Sequence, residues 1–446
     1  MKIKSSYVIV VLFLLSFGLR FFYNDTVVFA PPLIRGDAVD YVNSARNLYK
    51  FGVYSKENTI AGHFPAPDSF RPPLLPLVIR LCMSIGKSGQ THWYGYVILL
   101  QIVLGAMTAP LMYCTATALS LSPWAACIVA LLTLLDPCLV TITGYLLSEV
   151  YVLFFFVLVF YFFTVSKEKP GKTNMAMIGA AGSLLYFSRE EYLFAPLIIG
   201  VLFFHKWPKG YSIMLLVFLL LPALWMIRKV ELPESLSRLR ISAYEGSLPF
   251  PSNIEAPMRY LVGRLPQYNQ FESMKNGWTE FFRIMVQRIE TSPELLFWYF
   301  PIKSFYLLGF HFLVGTDIFI YPVLKSVWEQ PFFNFLKTMS MVIYYLALPM
   351  CILGMYRCLR GKSIYLKGIA WVTIFYFAFF HIVVPLPRYM IPFRPIIYLF
   401  AVMYVGCMVT EVREKMLRVK NKNGMTAFSN SSAVELQQDV WHVPDS

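Results

Sequence analysis

Gly36-Asp37-Ala38-Val39-Asp40-Tyr41 and, some thirty residues on, Phe70-Arg71-Pro72-Pro73-Leu74 put two carboxylates, a phenol and a guanidinium in the first loop after an apolar N-terminal segment. Only 14% of the chain is charged, so such groups are scarce. A positioned carboxylate can take a proton from a hydroxyl, and a guanidinium can grip a phosphate through paired hydrogen bonds. The same residue types recur at Glu149, at Ser188-Arg189-Glu190-Glu191 and at Arg388-Tyr389, each at the end of an apolar run. If those ends share one side of a membrane, acids and arginines converge at headgroup level, where a lipid-borne phosphate lies.

The rest of the chain is what must position them. It has 446 residues, 57% hydrophobic and 17% aromatic, with a mean hydropathy of +0.56. That composition excludes a soluble domain and implies an all-α polytopic membrane protein. The formal charge of +14 comes from lysines and arginines scattered in short juxtamembrane loops, which argues against a nucleic-acid surface and for orientation by positive charge. Cys82, Cys114, Cys127, Cys138, Cys351, Cys358 and Cys407 form no CxxC pair, so neither a zinc site nor a disulfide framework is indicated. Lys2 and Lys4 ahead of Tyr7–Leu19 resemble a signal peptide, with Val28-Phe29-Ala30 as a faint cleavage site. Arg20 and the further apolar runs favour an uncleaved anchor.

Apolar runs near 5–23, 95–119, 123–146, 149–165, 174–188, 191–205, 210–228, 336–356, 365–386 and 391–409 predict about ten transmembrane helices. The layout expected is a membrane core over 1–228, with a catalytic first outer loop at 24–94. An outer amphipathic segment covers 229–335, C-terminal transmembrane helices cover 336–410, and a cytoplasmic tail covers 411–446. Lys167, Lys169, Lys172, Lys206, Lys209, Arg357, Arg360, Lys362 and Lys367 then fall inside, with both termini cytoplasmic. Basic residues flank 174–205 on both sides, so this run is read as a short hairpin with Arg189 at a recessed tip, where charge is costly unless it is used. Residues 305–324 read as a re-entrant or interfacial segment, and Ser429–Ser446 as a disordered end.

Four places together resemble the C-type (GT-C) membrane glycosyltransferases, in the branch of protein O-mannosyltransferases and the lipid A aminoarabinose transferase. They are Asp37-x-x-x-Tyr41 with Arg71-Pro72-Pro73-Leu74; Asp136-Pro137 through Gly144-Tyr145-Leu146-Leu147-Ser148-Glu149; Arg189 with Glu191 and Pro196; and Arg388-Tyr389-Met390-Ile391-Pro392-Phe393-Arg394-Pro395. Ser292-Pro293 followed by Lys303 also fits. Two departures stand out: Gly36 and Ala38 flank Asp37 where many relatives carry adjacent acids, and Arg71 replaces the lysine of the aminoarabinose branch.

The resemblance implies a polyprenyl-phosphate sugar as donor and a single inverting displacement onto a lipid, glycan or protein acceptor at the periplasmic or lumenal face. Asp37 would be the general base. Arg71, Arg189 and Arg388 would bind the donor phosphate, with Asp40, Tyr41, Glu149, Glu191, Lys303 and Tyr389 in support. The setting would be a bacterial inner membrane, or the endoplasmic reticulum in a eukaryote. No cofactor is specified. A divalent metal stays open, because His63, His92 and His381 fall on the outer side with Glu149, though without ligand spacing. Blander readings exist for each residue: Asp37 as a helix N-cap, Arg71 as a snorkelling side chain in a rigid turn, Arg189 paired with Glu190 or Glu191, and Arg388 as an interfacial anchor. The rival functions are an oligosaccharide ligase or polymerase, a transporter or flippase, and a non-catalytic assembly subunit.

Overall fold

The computed structural model describes residues 5–25, 37–59, 64–86, 92–167, 171–204, 207–231, 331–383 and 387–422, with single positions at 34, 283, 290, 304, 307 and 308. Lys303, His63, the Ser292-Pro293 pair and nearly all of the 229–335 segment lie outside the described residues. Those described are helical, without strands: α1 (Ser5–Tyr23), α2 (Asp37–Phe51), α3 (Leu74–Ile85), α4 (His92–Ala118), α5 (Pro123–Leu135), α6 (Pro137–Thr141), α7 (Glu149–Val165), α8 (Lys172–Ser188), α9 (Phe194–Phe204), α10 (Pro208–Glu231), α11 (Pro331–Arg360), α12 (Ile364–Val383) and α13 (Arg394–Lys422). Short 3-10 turns at Ile142–Gly144, Glu190–Leu193 and Pro387–Phe393 join them.

The expected ten crossings are not matched by helix length. Among the described residues six helical stretches are long and apolar enough to cross a membrane, and the bent pair α5–α6 makes at most seven. The difference has a physical cause. Helices α7 and α8 have 17 residues each and α9 has 11, or about 25 and 16 Å at 1.5 Å per residue, short of a ~30 Å hydrocarbon core. Hydropathy registers an apolar run, but not where a turn cuts it. The last helix, for its part, runs on to Lys422, past the point where the polar tail was expected to begin.

Two features shape the core. Pro137 lacks an N–H and forces Asp136 out of helical geometry, so α5 stops and the chain bends by 56°. Asp136 caps the new helix by accepting from the Cys138 and Leu139 N–H groups. Close packing of α8 on α10 depends on Gly179, where a Cβ would stand 2.4 Å from the Met214 carbonyl oxygen. Four residues on, Ser183 donates to the Val217 and Phe218 carbonyls, the small-residue and hydroxyl contacts that join helices where apolar burial supplies little drive.

Candidate active site

Residues 142–148 are irregular backbone inside a buried bundle, which is tolerated only where other groups meet its hydrogen bonds. Gln101 donates to the Thr143 and Tyr145 carbonyls at 3.1 and 2.7 Å, and Tyr94 to the Gly144 carbonyl at 3.3 Å. Arg20, fully buried on α1, donates to the Leu139 carbonyl. Gly105 lets this strip approach α4, since a Cβ there would stand 2.7 Å from Thr143 Cγ2. The strip ends at Ser148, and Glu149 opens α7.

Around Glu149 three elements converge. From the α8–α9 turn, Arg189 pairs through Nη2 with Glu149 Oε1 and donates from Nε to Ser148 Oγ at 2.9 Å. Tyr41 of α2 donates to the same Ser148 oxygen at 3.2 Å. From the 3-10 turn before α13, Arg388 brings Nε to 3.9 Å of Glu149 Oε1 and Nη1 to 2.8 Å of Asp37 Oδ2. Tyr389 lies beneath both cations, its ring centroid 4.4 Å from the Arg189 guanidinium and 5.5 Å from that of Arg388. Its carbonyl is held by Tyr192 at 2.9 Å, within a stack of Tyr192, Tyr376, Phe380 and Phe393 rings.

Arg71 completes the group. Its Nη2 donates to Asp37 Oδ1 at 2.7 Å, and Nε and Nη2 both donate to Asp40 Oδ2, at 2.9 and 2.6 Å. Tyr54 fixes the turn by donating to the Arg71 carbonyl at 2.7 Å. Arg228 of α10 in turn holds the Tyr54 and Asp68 carbonyls. Asp37, Asp40, Arg71, Glu149, Arg189 and Arg388 therefore form one ion-pair network of three cations and three anions. It is layered: Glu149 and Arg189 are 2% and 6% exposed, whereas Asp37 and Arg388 are each 21% exposed.

The network is not saturated. Arg388 Nε and Glu149 Oε2 have no hydrogen-bond partner. The Arg388–Asp37 contact, though 2.8 Å long, is off the direction of a hydrogen bond, so it is an ion pair alone. Burial pushes the Asp37 carboxyl up, but the Arg388, Arg71 and Arg189 guanidiniums outweigh it and hold it well below the usual carboxylate range. Groups so disposed can bind an anion at Arg388 and present a carboxylate to a hydroxyl.

Arg189 pairs with Glu149; of its sequence neighbours, Glu190 accepts from Trp225 at 2.9 Å, and Glu191 lies half-buried on the same turn. Among the described residues no group of three or more His, Cys, Asp or Glu side chains is placed to hold a metal. Sequence reasoning gave no role to a second buried network, in which Arg394 and Tyr398 of α13 both bond Asp136 Oδ2 and the Arg394 guanidinium lies 3.6 Å from the Tyr344 ring centroid. Charge inside an apolar run was the available signal.

The model of the dolichyl-phosphate-mannose-protein mannosyltransferase family matches residues 81–237. The fold is similar to that of the Archaeoglobus fulgidus oligosaccharyltransferase AglB in complex with an inhibitory peptide and a dolichol-phosphate. That likeness has a TM-score of 0.52 at 12% identity, over 98% of this chain and 53% of that one. The A. fulgidus enzyme tethered to an acceptor peptide gives 0.52 at 15% identity, over 99% and 54%. A weaker likeness, TM-score 0.39 at 13% identity, covers 91% of this chain and 79% of ArnT from Cupriavidus metallidurans bound to undecaprenyl phosphate. The chain thus spans about half the length of the A. fulgidus enzyme, and no curated protein matches it in sequence. Over its described residues the chain thus shares the fold of the A. fulgidus enzyme, and residues 81–237 match the mannosyltransferase-family model.

Proposed function

We propose that the protein is an integral-membrane glycosyltransferase that moves a sugar from a polyprenyl-phosphate carrier to a hydroxyl acceptor at the outer face, by a single inverting displacement. The observation that carries this reading is the ion-pair network at one end of the bundle, built from Asp37, Arg71, Arg189 and Arg388 on four separate segments. The mannosyltransferase-family match and the dolichol-phosphate held by the similar A. fulgidus enzyme support a lipid phosphate as donor.

In this reading Asp37 takes the proton of the acceptor hydroxyl on the face of the sugar opposite the leaving phosphate, as inversion requires. The phosphate leaves without protonation, its charge met by Arg388 with Arg71 and Arg189 behind it. Glu149, Ser148 and Tyr389 hold Arg189 and Arg388 in place, while Asp40 and Tyr41 do so for Arg71. Lys303 stays a candidate phosphate neighbour.

The test is purified, detergent-solubilised protein incubated with radiolabelled polyprenyl-phosphate sugars and candidate acceptors, wild type beside Asp37→Asn. Release of free polyprenyl phosphate by the wild type, falling about 100-fold or more in the variant, supports the reading. Equal turnover by both removes Asp37 as the base.

A further inference from the structure

The resting site holds its proposed base in a poor state to act. Asp37 gives Oδ1 to Arg71 and Oδ2 to Arg388, and a carboxylate between two guanidiniums has little appetite for a proton. The two grips are unequal. Arg71 is committed, with aligned hydrogen bonds to Asp37 and Asp40 and a backbone fixed by Tyr54. Arg388 is not: its contact with Asp37 lacks hydrogen-bond alignment, and its Nε has no hydrogen bond, only a long 3.9 Å ion pair with Glu149. It is also more exposed than Arg71, 21% against 8%. Of the three cations, Arg388 is the one an arriving anion can recruit at least cost.

We propose, on the basis of the donor reading above, that the lipid phosphate draws Arg388 away from Asp37, so that the base is released only once the donor is in place. Charge balance supports this exchange. Arg71, Arg189 and Arg388 match Asp37, Asp40 and Glu149 one for one, so the phosphodiester brings one uncompensated negative charge. In the reaction the acceptor proton passes to Asp37, the acceptor oxygen bonds the anomeric carbon, and the carbon–phosphate oxygen bond breaks with its electron pair on the phosphate. Asp37 loses one negative charge as the phosphate gains one, and Arg388, already drawn to the phosphate, meets the charge that develops there. One guanidinium thereby couples proton removal to departure of the leaving group. It also keeps the base quiet when no donor is bound, which protects the site from idle chemistry.

The consequence is unusual for a catalytic base: Asp37 competes with the donor for Arg388. Polyprenyl monophosphate binding to the full-length protein should therefore tighten about ten-fold in Asp37→Asn, while Glu190→Gln, which removes a nearby negative charge that faces Trp225, stays near wild type. Unchanged or weaker binding in a folded Asp37→Asn overturns the proposal, as does an equal gain in both variants, which is what simple removal of negative charge would give. Wild type that binds no polyprenyl phosphate overturns the donor reading together with it; wild-type binding without the Asp37→Asn gain overturns this inference alone. Carbodiimide labelling of wild type needs no variant. Polyprenyl phosphate without sugar should speed modification of Asp37 as read by peptide mass spectrometry, and unchanged or slower labelling contradicts the release.

Discussion

Arg189 crosses from the α8–α9 turn to the first residue of α7 and meets Glu149 where both side chains are almost wholly enclosed. Two buried charges depend on each other, and removing one strands the second. Arg189→Met and Glu149→Leu alone are each expected to cost about 3–5 kcal/mol of stability. The double variant Arg189→Met with Glu149→Leu should recover most of that, since a filled apolar replacement leaves no unpaired charge. Thermal unfolding of the four proteins in detergent measures the cycle. Additive losses would mean that the pair is not coupled.

Asp136 presents the same physics in a different place, with a backbone role added. Asp136→Asn keeps an acceptor for the Cys138 and Leu139 N–H groups but halves the partnership with Arg394 and Tyr398. Asp136→Ala loses both. The expected order of melting temperature is wild type, then Asn, then Ala, with the last at least about 3 kcal/mol below the first. An Ala variant as stable as the Asn variant would show that the cap contributes nothing.

Titration of Asp37 gives a prediction with a definite sign. Its surroundings are Arg71, Arg388 and Arg189 against Asp40 and Glu149, and they hold it well below the ordinary range. An unfolded aspartate titrates near pH ~3.9. Stability from these ion pairs is thus present above about pH 4 and is lost as pH falls through the lower, folded value. The melting difference between wild type and Asp37→Asn should stay flat from about pH 5 to 8 and shrink only below about pH 4. A break near neutrality would mean that the arginines do not hold the carboxylate in the folded protein.

Gly105→Ala tests how tightly the irregular strip lies on α4. The new methyl would press on Thr143 Cγ2 and Arg20 Nε, at an expected cost of about 1–3 kcal/mol. Thr143→Ser in the same chain removes the first clash and should recover part of the loss in a thermal melt.

Much of this was legible in the sequence, for a simple reason. In a chain so poor in charge, Asp37, Arg71, Glu149, Arg189 and Arg388 stand out, and the apolar runs order them along the membrane. What was not legible is pairing and depth. Arg189 has an acid beside it in sequence, yet its partner is Glu149, forty residues earlier. Arg394 and Asp136 are 258 residues apart, and nothing local marks them as partners. The turn between α8 and α9 was legible, since the charges of Ser188-Arg189-Glu190-Glu191 interrupt the apolar run, whereas the Pro137 bend inside 123–146 was not.

The short helix α7 carries one further consequence. Lys167, just past its lower end, bonds Ser120 just past the lower end of α4, so the two helices begin level. Helix α4 then rises through 27 residues and α7 through 17, which leaves Glu149 about 15 Å below the top of α4. Gln101 agrees with the offset, because it reaches the Thr143 and Tyr145 carbonyls from well inside α4. Helix α4 therefore extends past the charged network on one side. A folded acceptor that approached Asp37 from that side would meet α4 before it met the carboxylate.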